Sequence, residues 1–118
     1  MPATTATGID ATYYLVKDLA RATAFYKDNL GLTPSMEMPD MLSEFTFPGG
    51  ETFGLYKTEE FSPSGGVMFA VADVKAAKDA MESKGVKFDD HEVTETPVCF
   101  MAFAEDSEGN HFILHQAK

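Results

Sequence analysis

The chain has 118 residues, a formal net charge of −10 and one cysteine, Cys99. This length corresponds to one domain, and the negative charge argues against nucleic-acid and anionic-membrane partners because their phosphates would be repelled. The longest apolar stretch, Val67 to Ala72, is far shorter than the roughly 20 residues of a membrane-spanning helix. The N-terminal segment lacks the basic and apolar parts of a signal peptide. Together with the unpaired cysteine, these features predict a cytoplasmic protein.

The spacing of apolar residues predicts a strand followed by a helix at the start of the chain. Residues 12–16 read as a strand, and Asp18 follows where its carboxylate can cap a helix. Apolar residues three or four apart predict a helix from Leu19 to Asn29, which ends at Gly31. A strand-like run over residues 42–47 and a Pro-Gly-Gly turn then lead into another strand.

The same order of signals occurs twice. The run from Val16 to Ala22 matches Val71 to Ala77, and Gly50 to Leu55 matches Gly109 to Leu114. The repeat predicts a second helix, Val74 to Ser83, capped by Asp73. We therefore expect an α+β domain over residues 1–118, built from two βαβββ modules. The first module covers residues 8–57, the linker 58–64 and the second module 65–118.

This pattern resembles the vicinal oxygen chelate superfamily, which includes glyoxalases, bleomycin resistance proteins and extradiol dioxygenases. The residues that carry the resemblance are Val16-Lys17-Asp18-Leu19, Ala22, Phe25-Tyr26, Leu30-Gly31-Leu32, Phe47-Pro48-Gly49-Gly50 and Glu105-Asp106-Ser107-Glu108-Gly109-Asn110. The resemblance implies two half-barrel sheets with their helices outside, a cleft between the concave faces, and a homodimer that completes it.

Metal-dependent members of that superfamily carry His, Glu or Gln ligands on the first and last strand of each module. The resemblance places these ligands seven residues before the capping Asp and four residues after the turn glycine. The corresponding residues here are Ala11, Gly54, Gly66 and Ile113, none of which can ligate a metal through its side chain. The resemblance thus implies no usual metal site, and we expect no metal and no cofactor.

Strand alternation predicts which residues line the cleft and which pack beneath the helices. The candidate ligand-binding residues are Tyr13, Thr52, Tyr56, Met68, His111 and His115, with Glu44 near the rim. The residues expected beneath the helices are Tyr14, Val16, Phe53, Leu55, Val67, Phe69, Phe112 and Leu114. Tyr13 and Tyr56 are the expected principal contacts of a planar or cationic organic molecule. The small side chains at Ala11, Gly54 and Gly66 should leave open volume beside them.

Three kinds of function fit these features. The first is a metal-free binding protein for a small organic molecule. The second is an enzyme of the lyase, isomerase or dioxygenase kind, which would use a non-standard metal site of His111, His115 and Glu44 or Tyr/His acid–base chemistry. The third is an accessory or sensor domain. No catalytic residue can be assigned from the sequence.

The remaining candidates each have an ordinary structural interpretation. His111 could simply line the cleft, and His115 could lie at a strand end near solvent. Cys99 lies in an apolar run, which favours a buried thiol over a reactive one. His91 falls in an acidic segment expected to be an exposed loop. Three methionines, Met36, Met38 and Met41, could form an adaptable pocket rim or fill the core.

Overall fold

The computed structural model describes residues 9–60, 63, 65–89 and 92–118. The elements in chain order are β1 (Thr12–Val16), α1 (Leu19–Leu30), β2 (Pro34–Met38), β3 (Leu42–Thr46), β4 (Thr52–Lys57), β5 (Gly65–Ala70), α2 (Val74–Ser83), β6 (Lys87–Phe88), β7 (Thr94–Glu95), β8 (Cys99–Glu105) and β9 (His111–Ala117). Neither helix in this part of the chain has the length and apolar character needed to cross a lipid bilayer.

Both helices begin at the aspartates that the sequence indicates. The Asp18 side chain accepts a hydrogen bond from the Arg21 N–H at 2.9 Å, and the Asp73 side chain accepts one from the Ala76 N–H at 3.0 Å. These bonds satisfy N–H groups that the first helical turn leaves without a partner. Helix α1 ends at Gly31, whose φ of 69° is in the left-handed region that glycine adopts without strain.

The strands form two mixed sheets. The first sheet has the strand order β1-β4-β3-β2, and the second has the order β5-β9-β8-β6, with β7 also paired to β8. In each sheet the first strand pairs in parallel with the last, as β1 does with β4 and β5 with β9. The other pairings are antiparallel. The predicted α+β class with two βαβββ-type halves is therefore confirmed, with the short strand β7 added in the second half.

One aromatic core joins both sheets. The ring of Tyr26 on α1 lies 5.0 Å from Phe53 in the first sheet, and 6.1 Å and 6.2 Å from Phe69 and Phe112 in the second, measured between centroids. The residues predicted to pack beneath the helices do so: seven are buried and Val67 is partly buried. This agreement confirms which way the alternating strand residues face.

Buried hydrogen bonds also connect the halves. Asp106, in the turn between β8 and β9, accepts a hydrogen bond from the Tyr26 hydroxyl at 2.7 Å and from the backbone N–H groups of Glu108 and Asn110. The Asn110 side chain in turn donates to the Leu15 carbonyl at 3.0 Å. The turn of the second half is thereby fixed against β1 and α1 of the first.

An ion pair lies beside this turn. The Arg21 guanidinium donates to both carboxylate oxygens of Glu108, at 2.7 Å and 3.0 Å, and the Glu108 side chain is 1% exposed. Burial alone would raise the pKa of Glu108, but hydrogen bonds from Arg21, Ser107 and the Asp18 N–H outweigh it and hold that pKa below its usual value.

Candidate functional site

The first sheet has an uncovered face on the side opposite the shared core. Strand pairing aligns two rows of residues across it: Leu15, Tyr56, Leu42 and Met38 in one row, and Tyr13, Gly54, Glu44 and Met36 in the other. We call these eight residues the open face. Leu15, Tyr56, Met36 and Met38 are each between 41% and 45% exposed, so much of this apolar surface contacts solvent. Exposed apolar surface of this kind is characteristic of binding sites.

A tyrosine–carboxylate pair crosses the second row. The Tyr13 hydroxyl donates a hydrogen bond to Oε2 of Glu44, two strands away. Gly54, on the strand between them, makes this possible because a Cβ there would lie 2.6 Å from the Cε2 and Cζ atoms of Tyr13. The aromatic ring therefore occupies the space above the glycine.

The pair changes the acidity of the phenol. Burial, the hydrogen bond to Glu44 and the negative charge of Glu44 together raise the pKa of Tyr13 to about 12. At neutral pH the Tyr13 hydroxyl is thus a hydrogen-bond donor fixed to a carboxylate. Glu44 therefore makes a specific contact, which differs from a solvated surface carboxylate.

The second sheet presents its own row of candidate residues. Strand pairing aligns Met68, Ile113 and Phe103 in one row, and Ala70, His115 and Met101 in the next. His111 begins β9 and pairs with Glu105, and it lines a cavity of about 220 Å³ together with residues of the paired strands β6 and β8. Of the seven predicted ligand residues, Met68, His111 and His115 therefore lie on this sheet, and Tyr13, Glu44, Thr52 and Tyr56 lie on the first.

One cavity joins members of the two groups. Thr52 and Met68 both line a space of about 240 Å³ between β4 and β5, with Phe47 and Phe53 at its wall. A larger groove of about 650 Å³ lies on the helix side of the first sheet, between α1 and the β2–β3 hairpin. The side-chain hydroxyls of Thr23 and Ser43, 2.9 Å apart, lie at this groove. The groove was not predicted from the sequence.

Comparison with known families identifies the fold. A model of the Glyoxalase/Bleomycin resistance protein/Dioxygenase superfamily matches residues 8–114. The chain belongs to this superfamily. Comparison with curated proteins found no significant match.

Solved structures of this superfamily type agree with the fold. TnmS3, an antibiotic binding protein from Streptomyces sp. CB03234, is 20% identical over 98% of this chain and 100% of its own, with a TM-score of 0.81. Lactoylglutathione lyase from Agrobacterium tumefaciens is 18% identical over 96% of each chain, with a TM-score of 0.78. FosX, a fosfomycin resistance protein from Listeria monocytogenes, is 15% identical over 97% of this chain and 96% of its own, with a TM-score of 0.78. At these identities the likeness concerns the fold.

The structure describes the four positions to which the resemblance assigns the metal ligands. Ala11 lies just before β1, Gly54 lies beneath the Tyr13 ring, Gly66 is at an irregularity of β5, and Ile113 pairs with Met68. These residues offer no carboxylate, imidazole or amide oxygen, so they do not fit a divalent ion. The expectation of open volume at Gly54 was wrong, because the Tyr13 ring fills that volume.

The non-standard metal site of His111, His115 and Glu44 is also wrong. The two histidines are four residues apart on an extended strand, which separates their Cα atoms by about 13 Å, and Glu44 belongs to the other sheet. Among the residues that the structure describes, no group of three His, Cys, Asp or Glu could hold a metal ion.

Several smaller expectations can be compared with the structure. Cys99 is buried, as predicted, with its sulfur 3.1 Å from the Thr96 hydroxyl. The core-filling interpretation of Met36, Met38 and Met41 is wrong, since all three are more than 40% exposed. His91 lies outside the described residues.

Sequence reasoning missed two features of the open face. Leu42 was not recognised as a member, although it alternates with buried Ser43 in β3 and could have been found from that period. The bond between Tyr13 and Glu44 was also missed. Gly54 was the available signal, because a glycine within a strand often marks a close approach by another group.

Proposed function

We propose that this protein binds a small organic molecule with a planar group on the open face of the first sheet, without using a metal. The observation that carries the proposal is the Tyr13 ring over Gly54. It puts an aromatic ring and a fixed carboxylate at Gly54, a position where the superfamily resemblance implies a metal ligand. Rings and thioethers around one polar pair are the usual composition of a small-molecule site.

Two tyrosines are the proposed principal contacts. Tyr13 and Tyr56 come from neighbouring strands, and Tyr56 pairs in register with Leu15, two residues beyond Tyr13. Their rings therefore lie diagonally across the sheet, at a distance that large aromatic side chains can bridge. A planar ligand could stack on either ring, each contact contributing about 0.5–1.5 kcal/mol beyond the area it buries. Thr52 and Met68 would extend the site toward the second sheet.

We propose that a second copy of the chain covers the open face and completes the site. Leu15, Met38 and Tyr56 are between 41% and 45% exposed in a single chain, and apolar surface of this extent favours a partner. Sedimentation at about 50 μM should show a dimer, a concentration at which a specific dimer assembles. A monomer at that concentration would contradict this part of the proposal.

The binding proposal has support from one named relative. TnmS3 is described as an antibiotic binding protein, and its fold matches over 98% of this chain. The alternative of metal-free acid–base catalysis has less support, because a phenol with a pKa of about 12 is poorly matched to proton transfer near neutral pH. The buried thiol of Cys99 is compatible with the reducing cytoplasm, where we propose that the protein acts.

Acridine, a planar, neutral and fluorescent molecule, provides a direct test. Its fluorescence should change on titration with the protein, and Tyr13→Ala and Tyr56→Ala should each weaken binding by about tenfold. Val98→Ala is the matched control, because Val98 is apolar and 72% exposed but lies outside the open face. Unchanged affinity in both tyrosine variants, or an equal loss in the Val98 variant, would contradict the proposed site. Native mass spectrometry of the purified protein would identify any ligand that it retains.

A further inference from the structure

The charge of the open face comes from one carboxylate. Glu44 pairs with Met36 on one side and with Gly54 on the other, and Tyr13 approaches across that glycine. The other members of the face are apolar side chains, glycine or tyrosine. Because Tyr13 has a pKa of about 12, its hydroxyl is neutral at physiological pH, and Glu44 sets the sign of the local field.

No basic side chain of the described residues neutralises this carboxylate. The ion pairs of the first half involve other groups: Arg21 binds Glu108, and Lys57 lies 3.8 Å from Asp40. None of the ion pairs within the described ranges includes Glu44. The Tyr13 hydroxyl donates a hydrogen bond to Oε2 of Glu44. The second carboxylate oxygen has lone pairs that can accept hydrogen bonds from a ligand.

The surroundings of this carboxylate suit an organic cation. Tyrosine rings attract a positive charge held near their faces, and the thioethers of Met36 and Met38 adapt to irregular apolar surfaces. A small inorganic cation would gain little from rings and thioethers, whereas an amine on an apolar frame would contact them all. A neutral planar molecule would remove water from Glu44 without supplying a positive charge in its place, which is costly.

We propose, building on the function proposed above, that the open face selects organic cations: protonated or quaternary amines carried on a planar frame. The positive charge lies against Glu44, and the planar frame lies against Tyr13 and Tyr56. The hydrogen bond from Tyr13 fixes the carboxylate in position before the ligand arrives, which lowers the ordering cost of binding.

A pair of dyes separates charge from shape. Proflavine is a planar cation at pH 7.5, and acridine has the same three-ring frame but is neutral. Fluorescence titration of the full chain in low salt should show proflavine binding about tenfold more tightly than acridine, which corresponds to about 1.4 kcal/mol. The preference should diminish as salt screens the carboxylate.

The variants test Glu44 against a carboxylate on the same hairpin. Glu44→Gln should make the two dyes bind about equally, and circular dichroism should show an unchanged fold. Glu37→Gln removes the same charge, but Glu37 pairs with buried Ser43 and lines the groove on the opposite side of the sheet. It should keep the preference for proflavine.

The outcomes distinguish the two proposals. If acridine binds as tightly as proflavine to the unmodified protein, selection for cations is overturned, while the binding function stands. If Glu44→Gln and Glu37→Gln reduce the preference equally, only the net charge acts, and the inference again fails. If neither dye binds, the proposed function on this face fails as well.

Discussion

The hydroxyl of Tyr14 in the first sheet bridges an irregularity in the second sheet, and its removal should lower the stability of the fold measurably. The β5–β9 pairing shifts register between Gly65 and Val67. At that point the Tyr14 hydroxyl accepts a hydrogen bond from the Val67 N–H at 3.0 Å and donates one to the His111 carbonyl. Tyr14 itself is only 2% exposed. One phenol therefore satisfies two backbone groups of the second half from a strand of the first.

Tyr14→Phe removes this bridge and leaves the ring in place. The edge-on contact between Tyr14 and Phe53, 5.3 Å between centroids, should persist, so packing changes little. A buried backbone group without a partner costs about 1–3 kcal/mol. Two backbone groups lose a partner, one of them in the exposed residue His111, and we expect the free energy of unfolding to fall by about 2 kcal/mol in total.

Thermal and urea unfolding measure this loss. With an unfolding entropy of about 2.1 cal/mol/K per residue, 2 kcal/mol lowers the Tm of a 118-residue chain by about 8 °C. Tyr56→Phe is the control, because it also removes one phenol oxygen, but from the solvent-exposed open face. Hydrogen exchange of the Val67 amide should accelerate in the Tyr14 variant only. A loss of less than about 0.5 kcal/mol, or an equal loss in the control, would refute the bridging role.

Two further predictions concern charged groups. Arg21→Gln removes the partner that helps to hold the pKa of Glu108 below its usual value. A carboxylate whose pKa is lower in the folded than in the unfolded state stabilises the fold at pH values above its unfolded-state pKa. That stabilisation is lost as the pH falls through the folded-state pKa. The variant should therefore unfold at a higher pH in acid titrations followed by circular dichroism, and an unchanged midpoint would contradict this. Gly54→Ala should displace the Tyr13 ring from Glu44, so the pKa of Tyr13 should fall from about 12 toward 10 in an NMR titration. A value that stays at about 12 would show that the ring does not need the glycine.

Local signals explain why the helices and the strand faces could be predicted. An Asp before a helical run and a Gly after it act through hydrogen bonds within one helical turn. Asp18 and Gly31 therefore identify the ends of α1 without reference to the rest of the fold. Alternation in a strand likewise fixes which side a residue faces, and Tyr13 and Tyr14 point to opposite sides as expected.

Distances between elements could not be predicted in this way. The separation of His111 from His115 along β9 follows from the strand rise alone. The separation of Glu44 from both histidines does not, because alternation gives no information on the distance between two sheets. The position of the Tyr13 ring likewise depends on its hydrogen bond to Glu44, two strands away, and cannot be read from the sequence of its own strand. The role of Asp106 could not be predicted from its neighbours in the sequence, because its partner Tyr26 lies 80 residues away in the chain.

The parallel pairing of the first and last strands determines how each half must fold. Tyr14 pairs with Leu55 in the first sheet, and Phe69 pairs with Leu114 in the second, so the central contacts join residues roughly forty apart. A helix or a hairpin can form from neighbouring residues, but the parallel strand pair cannot. The chain loses loop-closure entropy when these distant strands meet, before their contacts stabilise the sheet. The folding rate should therefore be limited by the arrival of β4 and β9. Until then, β1 and β5 remain unpaired edges open to aggregation.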